Sequence, residues 1–325
     1  MKISVLGCGR WGSFIAWYLC NQGHEVYSWG PEDDYSYKVL KETGKNEYVT
    51  LDSRIRLTCD LEEALSHAET VIISISSQGL RGFMQRIIQY EVAEKDFVLC
   101  MKGIEVDTGC RLSQVLVQSG ISPQKIAVWV GPGHIQAFTQ GIPNCMVIDS
   151  ENEDLKKKLA DNFRSELIRY YYGSDLIGTE IGAAAKNVMG IVAGVLDGCG
   201  FASLKGSLMS RGAREVARLI QAMGGNELSA YGLAHLGDYE ATLFSEYSHN
   251  RGYGEMLVKG EKFTRLAEGV PTAAAMKKLG EAYGVELPIT NAVYELCYGE
   301  SDEPYKARCE KLLAKLFARE TKSEF

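Results

Sequence analysis

The chain has 325 residues, of which 46% are hydrophobic and 24% are charged, a balance typical of soluble globular proteins. This composition excludes wholesale disorder, and the length favours two domains. The 35 Lys and Arg against 42 Asp and Glu give a net charge of −7, which argues against a dedicated nucleic-acid-binding protein with its usual basic excess. A phosphorylated small molecule is compatible with this charge, because a few local cations can bind it.

The nine cysteines are scattered along the chain, with no C-x-x-C pair and no grouping with the five histidines. We therefore expect free thiols in a reducing compartment and no metal site. The N-terminus runs directly into an apolar strand pattern without signal-peptide anatomy, and no apolar run suggests a membrane span. These features predict a cytoplasmic protein with no integral membrane segment.

The first half of the chain alternates short apolar runs with helical patterns. The runs that we predict to be buried parallel strands are Lys2–Leu6, Glu25–Trp29, Thr70–Ile75, Phe97–Met101 and Ile126–Val130, with two more around Cys145–Ile148 and Arg169–Tyr172. The helical patterns between them are Gly12–Gln22, Leu61–His67 and Arg111–Gln118. This alternation predicts an α/β domain with a Rossmann-like, doubly wound parallel sheet.

The second half changes character and shows helical patterns joined by glycine-bearing turns. The predicted helices are Thr179–Leu196, Ser203–Met223, Leu228–Ala234, Thr272–Tyr283, Pro288–Tyr298 and Pro304–Leu316. No strand signal of comparable strength appears there. We predict a dinucleotide-binding domain over residues 1–175 and an all-α substrate and catalytic domain over residues 176–325, and the broad apolar helices favour a homodimer.

A glycine-rich turn follows the first predicted strand. Gly7-Cys8-Gly9-Arg10-Trp11-Gly12 matches G-x-G-x-x-G, a weak pattern alone that gains weight because it also opens a predicted helix. Gly7 would make the tight turn, Gly9 would let the backbone approach a pyrophosphate, and Gly12 would let the helix pack on the strand. The helix N-terminus would then supply amide donors to the phosphates.

The end of the second predicted strand is where such a fold recognises the adenine ribose. Pro31-Glu32-Asp33-Asp34 stands there, with no Arg or Lys before Lys38. A carboxylate accepts hydrogen bonds from the ribose 2′-hydroxyl and repels a 2′-phosphate. The local charge, with Pro31 and Glu32 as candidate contacts, therefore favours NAD over NADP, which stays open as the alternative.

Two lysines occupy positions that packing alone does not explain. Lys102 follows the fourth predicted strand, and the carboxyl ends of parallel strands face the ligand crevice. Lys186 is the only cation in a long helix of small and apolar residues, where an unpaired ammonium is costly to bury. A carboxylate partner or a lowered pKa would offset that cost, and such a lysine is a good proton donor and acceptor.

A third polar segment follows the run Gly232-Leu233-Ala234-His235-Leu236-Gly237-Asp238. Asp238 ends this run and is a candidate partner for Lys186. The following Ser248-His249-Asn250-Arg251 supplies several donors in a predicted loop, which suits a phosphate or carboxylate.

Together these residues resemble one enzyme family in order and spacing. The matching elements are the glycine turn with Trp11, Lys102-Gly103-Ile104-Glu105, Gly131-Pro132, Lys186-Asn187, Arg211-Gly212 and Gly-Leu-Ala-x-Leu-Gly-Asp. They resemble the NAD(P)-dependent glycerol-3-phosphate dehydrogenases of the bacterial type over nearly the whole chain. The resemblance implies a helical domain like that of 6-phosphogluconate dehydrogenase and reversible reduction of dihydroxyacetone phosphate to sn-glycerol 3-phosphate, feeding glycerophospholipid synthesis.

The resemblance also implies roles for individual residues. It implies Lys186 as the proton donor and acceptor at the C2 oxygen, Lys102 as a cation that binds substrate and touches the cofactor, and Asp238 as the group that orients Lys186. Other implied cofactor contacts are Arg10, Trp11, Ile135, His249 and Glu268. Other implied substrate contacts are Gly131, Gly133, Asn187, Ser248, His249, Asn250 and Arg251. A dinucleotide-binding sensor without catalysis is another interpretation of the sequence. The presence of Lys102, Lys186 and Asp238 disfavours it.

Two segments depart from the family's usual pattern. After Gly131-Pro132 the family usually has Ser or Thr, an aromatic residue and Ala, whereas this chain has Gly133-His134-Ile135. In Ser248-His249-Asn250 the family usually has Arg at the central position, and histidine lacks that forked geometry. Two interpretations stay open: His249 and Arg251 share the phosphate contact, or the chain is a paralogous NAD-dependent dehydrogenase acting on another anionic hydroxy or keto substrate.

Overall fold

The computed structural model describes residues 1–318 of the chain. It divides into two compact units. The first comprises Met1–Lys102 and Cys110–Leu176, and the second comprises Gly103–Gly109 together with the chain from Ile177 onward. This division differs from the predicted one by Leu176 and by the segment Gly103–Gly109, which belongs to the second unit.

The first unit is built on one eight-stranded sheet. Its strands are β1 (Lys2–Leu6), β2 (Glu25–Trp29), β3 (Arg56–Thr58), β4 (Thr70–Ile73), β5 (Asp96–Leu99), β6 (Ile126–Val130), β7 (Asn144–Asp149) and β8 (Ile168–Tyr172). The strand order is β3-β2-β1-β4-β5-β6-β7-β8. Every neighbouring pair is parallel except β6 and β7. The first six strands have the doubly wound dinucleotide-binding order, which confirms the predicted fold class.

Helices cover both faces of this sheet. They are α1 (Arg10–Asn21), α2 (Tyr35–Thr43), α3 (Leu61–His67), α4 (Leu80–Ile87), α5 (Leu112–Gln118), α6 (Ile135–Thr139) and α7 (Glu153–Phe163). Side chains of β1 alternate between two cores, because Ile3 and Val5 pack with α1 and α7 whereas Leu6 packs with α3, α4 and α5. Strands buried on both faces read as continuous apolar runs, which is why most of them could be predicted.

The second unit is built from helices joined by turns and loops. Its helices are α8 (Leu176–Gly198), α9 (Lys205–Ala222), α10 (His249–Lys259), α11 (Gly269–Tyr283), α12 (Pro288–Tyr298) and α13 (Tyr305–Phe317). The predicted helix over Leu228–Ala234 is wrong. A short 3₁₀ helix, Glu227–Tyr231, occupies that region and ends at the extended Gly232. Asn226 caps its start by accepting a hydrogen bond from the Leu228 amide, and the extended backbone of Gly232, with ψ of −177°, ends the helical conformation.

Helix α8 forms the centre of the helical unit. Every residue from Gly178 to Leu196 is buried, as a helix that is apolar on all sides requires. By length and composition this helix could cross a membrane, which the sequence analysis did not anticipate, but 89% of the relevant window is buried inside the protein. The core helix of a globular domain has the same composition.

Candidate functional site

The glycine turn between β1 and α1 has the geometry of a phosphate-binding turn. Gly7 has φ of +111°, and a Cβ there would lie 2.8 Å from the Ser74 carbonyl carbon, so only glycine fits. A Cβ on Gly12 would lie 2.9 Å from the Gly7 carbonyl carbon. At Gly9, by contrast, a Cβ would meet nothing within 4 Å. Gly9 is the N-cap of α1 and offers no side chain to its first amides, so a bound phosphate has room and donors there.

The thiol within this turn carries no charge near neutral pH. Burial raises the pKa of the Cys8 thiol to about 12, and the nearby Asp34 adds to the shift. A neutral Cys8 does not repel a pyrophosphate on the adjacent amides. The turn therefore fits the phosphates of a dinucleotide in both shape and charge.

The acidic segment after β2 contains one residue that caps a helix and others that do not. Asp34 caps α2 by accepting a hydrogen bond from the Tyr37 amide at 3.1 Å. Glu32 and Asp33 are exposed, as is Pro31. Of the carboxylates expected at the ribose position, Glu32 and Asp33 thus take no part in capping the helix, whereas Asp34 has a structural task.

The predicted contacts around the turn lie in an aromatic cluster. Trp11 packs on Phe14, with 5.1 Å between ring centroids, and the Arg10 guanidinium lies 5.2 Å from the ring centroid of Tyr48. Arg10 also contacts the Gln136 side-chain oxygen at 3.4 Å. These contacts hold Arg10 and Trp11 at the start of α1, beside the amides that would bind a phosphate.

The departure at Gly133 has a packing explanation. A Cβ on this residue would lie 2.6 Å from Cζ of Phe138, whose ring is fully buried and stacks on Phe14 at 5.2 Å. A Ser or Thr at this position would therefore displace a core aromatic ring. Ile135 is buried at the start of α6, on the same short helix as Phe138. Glycine here accommodates the core and need not reflect a different substrate.

Lys102 contacts the neighbouring turn after β6. Its Nζ donates to the carbonyl oxygen of Gly131 at 2.8 Å, and Gly131 has φ of +129°. The ammonium and the positive-φ turn therefore lie at the carboxyl edge of the sheet, where a parallel α/β fold binds ligands.

In the second unit, Lys186 forms the ion pair expected from the sequence. Its Nζ lies 3.0 Å from Oδ2 of Asp238 and donates to Oγ1 of Thr242 at 2.8 Å. The Thr242 hydroxyl in turn donates to the Asp238 carbonyl oxygen at 2.7 Å. Asp238 is fully buried and Lys186 is only 8% exposed, so little water screens this pair. The ammonium is therefore held in one place by two oxygen atoms.

Thr242 was missed in the sequence analysis. It follows Asp238 by four residues and stands in a π-helical turn, Glu240–Phe244, directly after the 3₁₀ turn Leu236–Asp238. A spacing of four places two residues on the same side of a helical turn, which is the signal that could have found it. Single-turn π segments are frequent at functional sites.

Two asparagines join three helices beside Lys186. Nδ2 of Asn250 donates to Oδ1 of Asn187 at 3.0 Å, and the amide of Gly269 donates to Oδ1 of Asn250 at 2.9 Å. These bonds connect α8, α10 and the start of α11. Glu268, a predicted cofactor contact, is the N-cap residue of α11 and is half-buried. The predicted polar residues Asn187 and Asn250 are therefore brought together, and Asn187 directly follows Lys186 in the chain.

The segment predicted as a donor-rich loop begins a helix instead. Ser248 is the N-cap of α10 and accepts a hydrogen bond from the Arg251 amide at 3.3 Å. His249 is half-buried, and its Nδ1 lies 3.3 Å from the Leu266 carbonyl oxygen. The N-cap serine gives the physical reason, because its oxygen satisfies an amide that would otherwise lack an acceptor. The first turn of α10 therefore presents a positive helix end.

Arg251 belongs to an ion-pair network. Its guanidinium lies 2.6 Å from Oδ2 of Asp197 and 3.4 Å from Oε2 of Glu255. Asp197 also pairs with Lys205 at 2.8 Å, at the C-terminal end of α8. These ion pairs give Arg251 a structural role, and its role in substrate binding stays a prediction.

Close contact between α8 and α10 places the first turn of α10. A Cβ on Gly194 would lie 2.8 Å from the backbone nitrogen of Glu255 and closer still to the Arg251 carbonyl oxygen. A Cβ on Gly254 would lie 3.0 Å from the backbone of Ile191 and of Val195. The two backbones touch because these positions have no side chain, and this approach brings Asn250 within reach of α8.

No metal site is found in the residues that the structure describes, since no three His, Cys, Asp or Glu side chains are placed to hold an ion.

Comparisons with known proteins agree with this arrangement. Residues 2–156 match the family model of the NAD-dependent glycerol-3-phosphate dehydrogenase N-terminus, and residues 175–306 match that of the C-terminus. The chain is 33% identical over 311 residues to glycerol-3-phosphate dehydrogenase [NAD(P)+] of Prosthecochloris aestuarii, covering 92% of this chain and 94% of the relative. It is 34% identical over 310 residues to the Bacillus pumilus protein of the same name, covering 91% and 90%.

A solved structure supports the same conclusion. Glycerol-3-phosphate dehydrogenase from Coxiella burnetii superimposes with a TM-score of 0.87 at 25% identity, covering 96% of this chain and 98% of that one. The chain therefore belongs to the NAD-dependent glycerol-3-phosphate dehydrogenase family.

Proposed function

We propose that this protein interconverts dihydroxyacetone phosphate and sn-glycerol 3-phosphate with NAD(H). The observation that carries the proposal beyond family membership is the buried ion pair of Lys186 and Asp238, with Nζ 3.0 Å from Oδ2. A buried ammonium held by a carboxylate and a hydroxyl suits a reaction that creates charge on a substrate oxygen. The open amide end of α1 at Gly9 fits the phosphates of the cofactor.

The proposed chemistry centres on one proton. The nicotinamide, when bound, supplies the hydride that reaches C2 of the ketone. The Lys186 ammonium stabilises the negative charge that develops on the C2 oxygen and transfers a proton to it, which leaves a neutral amine. In the reverse direction the amine accepts the hydroxyl proton. Asp238 and Thr242 keep Nζ oriented through both states, because they hold it at 3.0 and 2.8 Å.

We assign phosphate binding to the first turn of α10 and its neighbours. Ser248, His249 and Asn250 stand where a helix presents its positive end, and Asn187 is hydrogen-bonded to Asn250. From the family resemblance, we further assign Lys102 as a substrate-binding cation. His249 replaces the usual arginine, so we expect weaker anchoring of the phosphate than a bidentate guanidinium supplies.

A direct assay tests the reaction. Oxidation of NADH is followed with dihydroxyacetone phosphate and, in parallel, with a panel of other 2-keto compounds. We expect dihydroxyacetone phosphate to be the best substrate. Turnover of another ketone without turnover of dihydroxyacetone phosphate would instead establish the paralogous dehydrogenase, the alternative that His249 still motivates.

The role of Lys186 is tested by Lys186→Met, which keeps a long unbranched side chain and removes the charge. We expect kcat to fall by about 100-fold or more, the usual range for losing a general acid, with almost unchanged NADH affinity. Lys157→Met, at an exposed position on α7, serves as the control. A Lys186→Met enzyme with normal kcat would remove Lys186 from the mechanism.

We further propose a preference for NADH, based on the exposed Glu32 at the ribose position. The ratio of kcat/KM for NADH over NADPH should exceed one and should drop in Glu32→Gln, because the variant removes a charge that repels the 2′-phosphate. Equal efficiencies with the two cofactors in the parent enzyme would contradict this assignment.

The physiological setting completes the proposal. We propose a cytoplasmic homodimer that supplies sn-glycerol 3-phosphate to glycerophospholipid synthesis. The mass of the protein in solution, measured by sedimentation, tests the homodimer, and a glycerol 3-phosphate requirement in a deletion strain tests the pathway role.

A further inference from the structure

His235 is a fully buried histidine to which the proposed mechanism assigns no role. It occupies the variable position in Gly-Leu-Ala-x-Leu-Gly-Asp, three residues before Asp238. Its Nδ1 lies 2.8 Å from the carbonyl oxygen of Gly182, and its Nε2 lies 2.7 Å from the hydroxyl of Tyr239. Because a carbonyl oxygen only accepts, Nδ1 carries the proton and donates, and Nε2 accepts from the Tyr239 hydroxyl. Both ring nitrogens are therefore used.

The Nδ1 bond reaches the turn of α8 that carries the catalytic lysine. In an α-helix the carbonyl of residue i accepts the amide of residue i+4, so the Gly182 carbonyl also faces the amide of Lys186. A Cβ on Gly182 would lie only 3.0 Å from Cβ of His235. The absence of a side chain at Gly182 thus leaves the room that the imidazole occupies.

The Nε2 bond secures the other side of the aspartate. His235 and Tyr239 flank the turn Leu236–Asp238, and the Tyr239 side chain is fully buried. Their hydrogen bond ties the residue before the turn to the residue after it. One imidazole thereby closes the turn and connects it to α8.

The ring keeps this bonding arrangement at neutral pH. Burial lowers the pKa of His235 to about 4, so the neutral form with one donor and one acceptor dominates. A protonated ring would present two donors and would leave no acceptor for Tyr239.

We propose that His235 is a positioning residue that holds the Asp238 turn against the Lys186 turn of α8 and so maintains the 3.0 Å ion pair between them. The proposal rests on the proposed function, in which Lys186 transfers the proton. It adds a residue that touches neither substrate nor cofactor and acts through Asp238.

Two substitutions separate the two bonds of the ring. In His235→Asn, the amide nitrogen takes the place of Nδ1 and can still donate to the Gly182 carbonyl. In His235→Gln, the longer amide reaches the place of Nε2, so the bond to Gly182 is lost while an acceptor for Tyr239 is kept. His24→Gln is the matched control, because Nε2 of His24 also lies 3.0 Å from a carbonyl oxygen, that of Asn162, in the other unit.

The kinetic expectation is a split between kcat and binding. His235→Gln should lose about 10- to 100-fold in kcat, because a misplacement of about 1 Å has that effect, while the affinity for NADH stays unchanged. His235→Asn should retain kcat within about threefold, because this variant keeps the donor to the Gly182 carbonyl. Both variants are compared at a temperature where circular dichroism shows them to be folded. A folded His235→Gln enzyme with the parent kcat would overturn the proposal.

A crystal structure of His235→Gln provides a readout that does not depend on substrate identity. We expect Lys186 Nζ and Asp238 Oδ2 to lie farther apart than in the parent protein, and an unchanged 3.0 Å distance would overturn the positioning role. A parent enzyme that fails to reduce dihydroxyacetone phosphate would count against the proposed function instead. The crystallographic distance would still decide the role of His235.

Discussion

The contact between α8 and α10 makes a sharp prediction for Gly194→Ala. The new Cβ would lie 2.8 Å from the backbone nitrogen of Glu255 and closer to the Arg251 carbonyl oxygen, neither of which can rotate away. Restoring an ordinary contact of 3.4 Å to the Glu255 nitrogen alone requires α10 to withdraw by about 0.6 Å, and the closer Arg251 carbonyl oxygen requires more. The bond between Asn250 and Asn187, now 3.0 Å, would then exceed hydrogen-bonding distance.

Two opposing terms set the change in the free energy of unfolding expected for Gly194→Ala. Overpacking a well-packed core costs about 1–3 kcal/mol, whereas alanine in place of glycine inside a helix contributes up to about 1 kcal/mol of stability. We expect Gly194→Ala to lower the free energy of unfolding by about 1–2 kcal/mol. Because the first turn of α10, to which we assign phosphate binding, also moves, we expect kcat/KM for dihydroxyacetone phosphate to fall by about 100-fold.

The matched control is Gly206→Ala. Gly206 is an exposed residue on α9, and a Cβ there would meet nothing within 4 Å. This variant should gain about 0.5–1 kcal/mol from helix propensity and keep normal kinetics. Urea unfolding and steady-state assays measure both variants. The close-contact argument fails if Gly194→Ala is as stable and as active as Gly206→Ala.

Three further outcomes follow from other parts of the structure. Glu215→Gln should lower the free energy of unfolding by about 1–3 kcal/mol, because the Glu215 carboxylate accepts hydrogen bonds from the backbone amides of Ile289 and Thr290 at 2.7 and 2.9 Å. The NH₂ group of a glutamine side chain would face one of these N–H donors with another donor. An unchanged urea midpoint would contradict this prediction. Lowering the pH from 7.5 to 5 should reduce the free energy of unfolding of the parent protein by about 2 kcal/mol, because His235 binds a proton near pH 6.5 when unfolded and only near pH 4 when folded. His235→Gln should lack this component, and equal pH dependence in both proteins would refute the lowered pKa of His235. Gly9→Ala should weaken NADH binding, measured by titration, by about tenfold or more with little change in the free energy of unfolding, since its Cβ enters the open space to which we assign the phosphates. Unaltered affinity would show that the cofactor does not approach there.

The sheet was largely predictable because its strands are local apolar runs. β1, β2 and β6 have the predicted bounds. Their burial on both faces gives the continuous apolar runs from which they were predicted. β3 was missed because it has three residues, Arg56–Thr58, at the edge of the sheet. α7 was missed because its five-residue buried stripe lies among charged residues, with Asn152 as the N-cap.

The candidate site was predictable only where a single residue contradicted its surroundings. Lys186 stood out as the one cation of an apolar helix, and Asp238 followed as its partner. Thr242 carried no such contradiction. The ion pair of Arg251 was not predicted, because its partner Asp197 lies 54 residues away in the chain.

The order of buried runs and the glycine turn thus determined the doubly wound sheet, because backbone conformation and burial pattern are properties of neighbouring residues. Tertiary structure alone decided which oxygens hold the Lys186 ammonium and that His235 joins Gly182 to Tyr239. Those contacts depend on where separate helices meet, and helices meet where backbones can approach, as they do at Gly194.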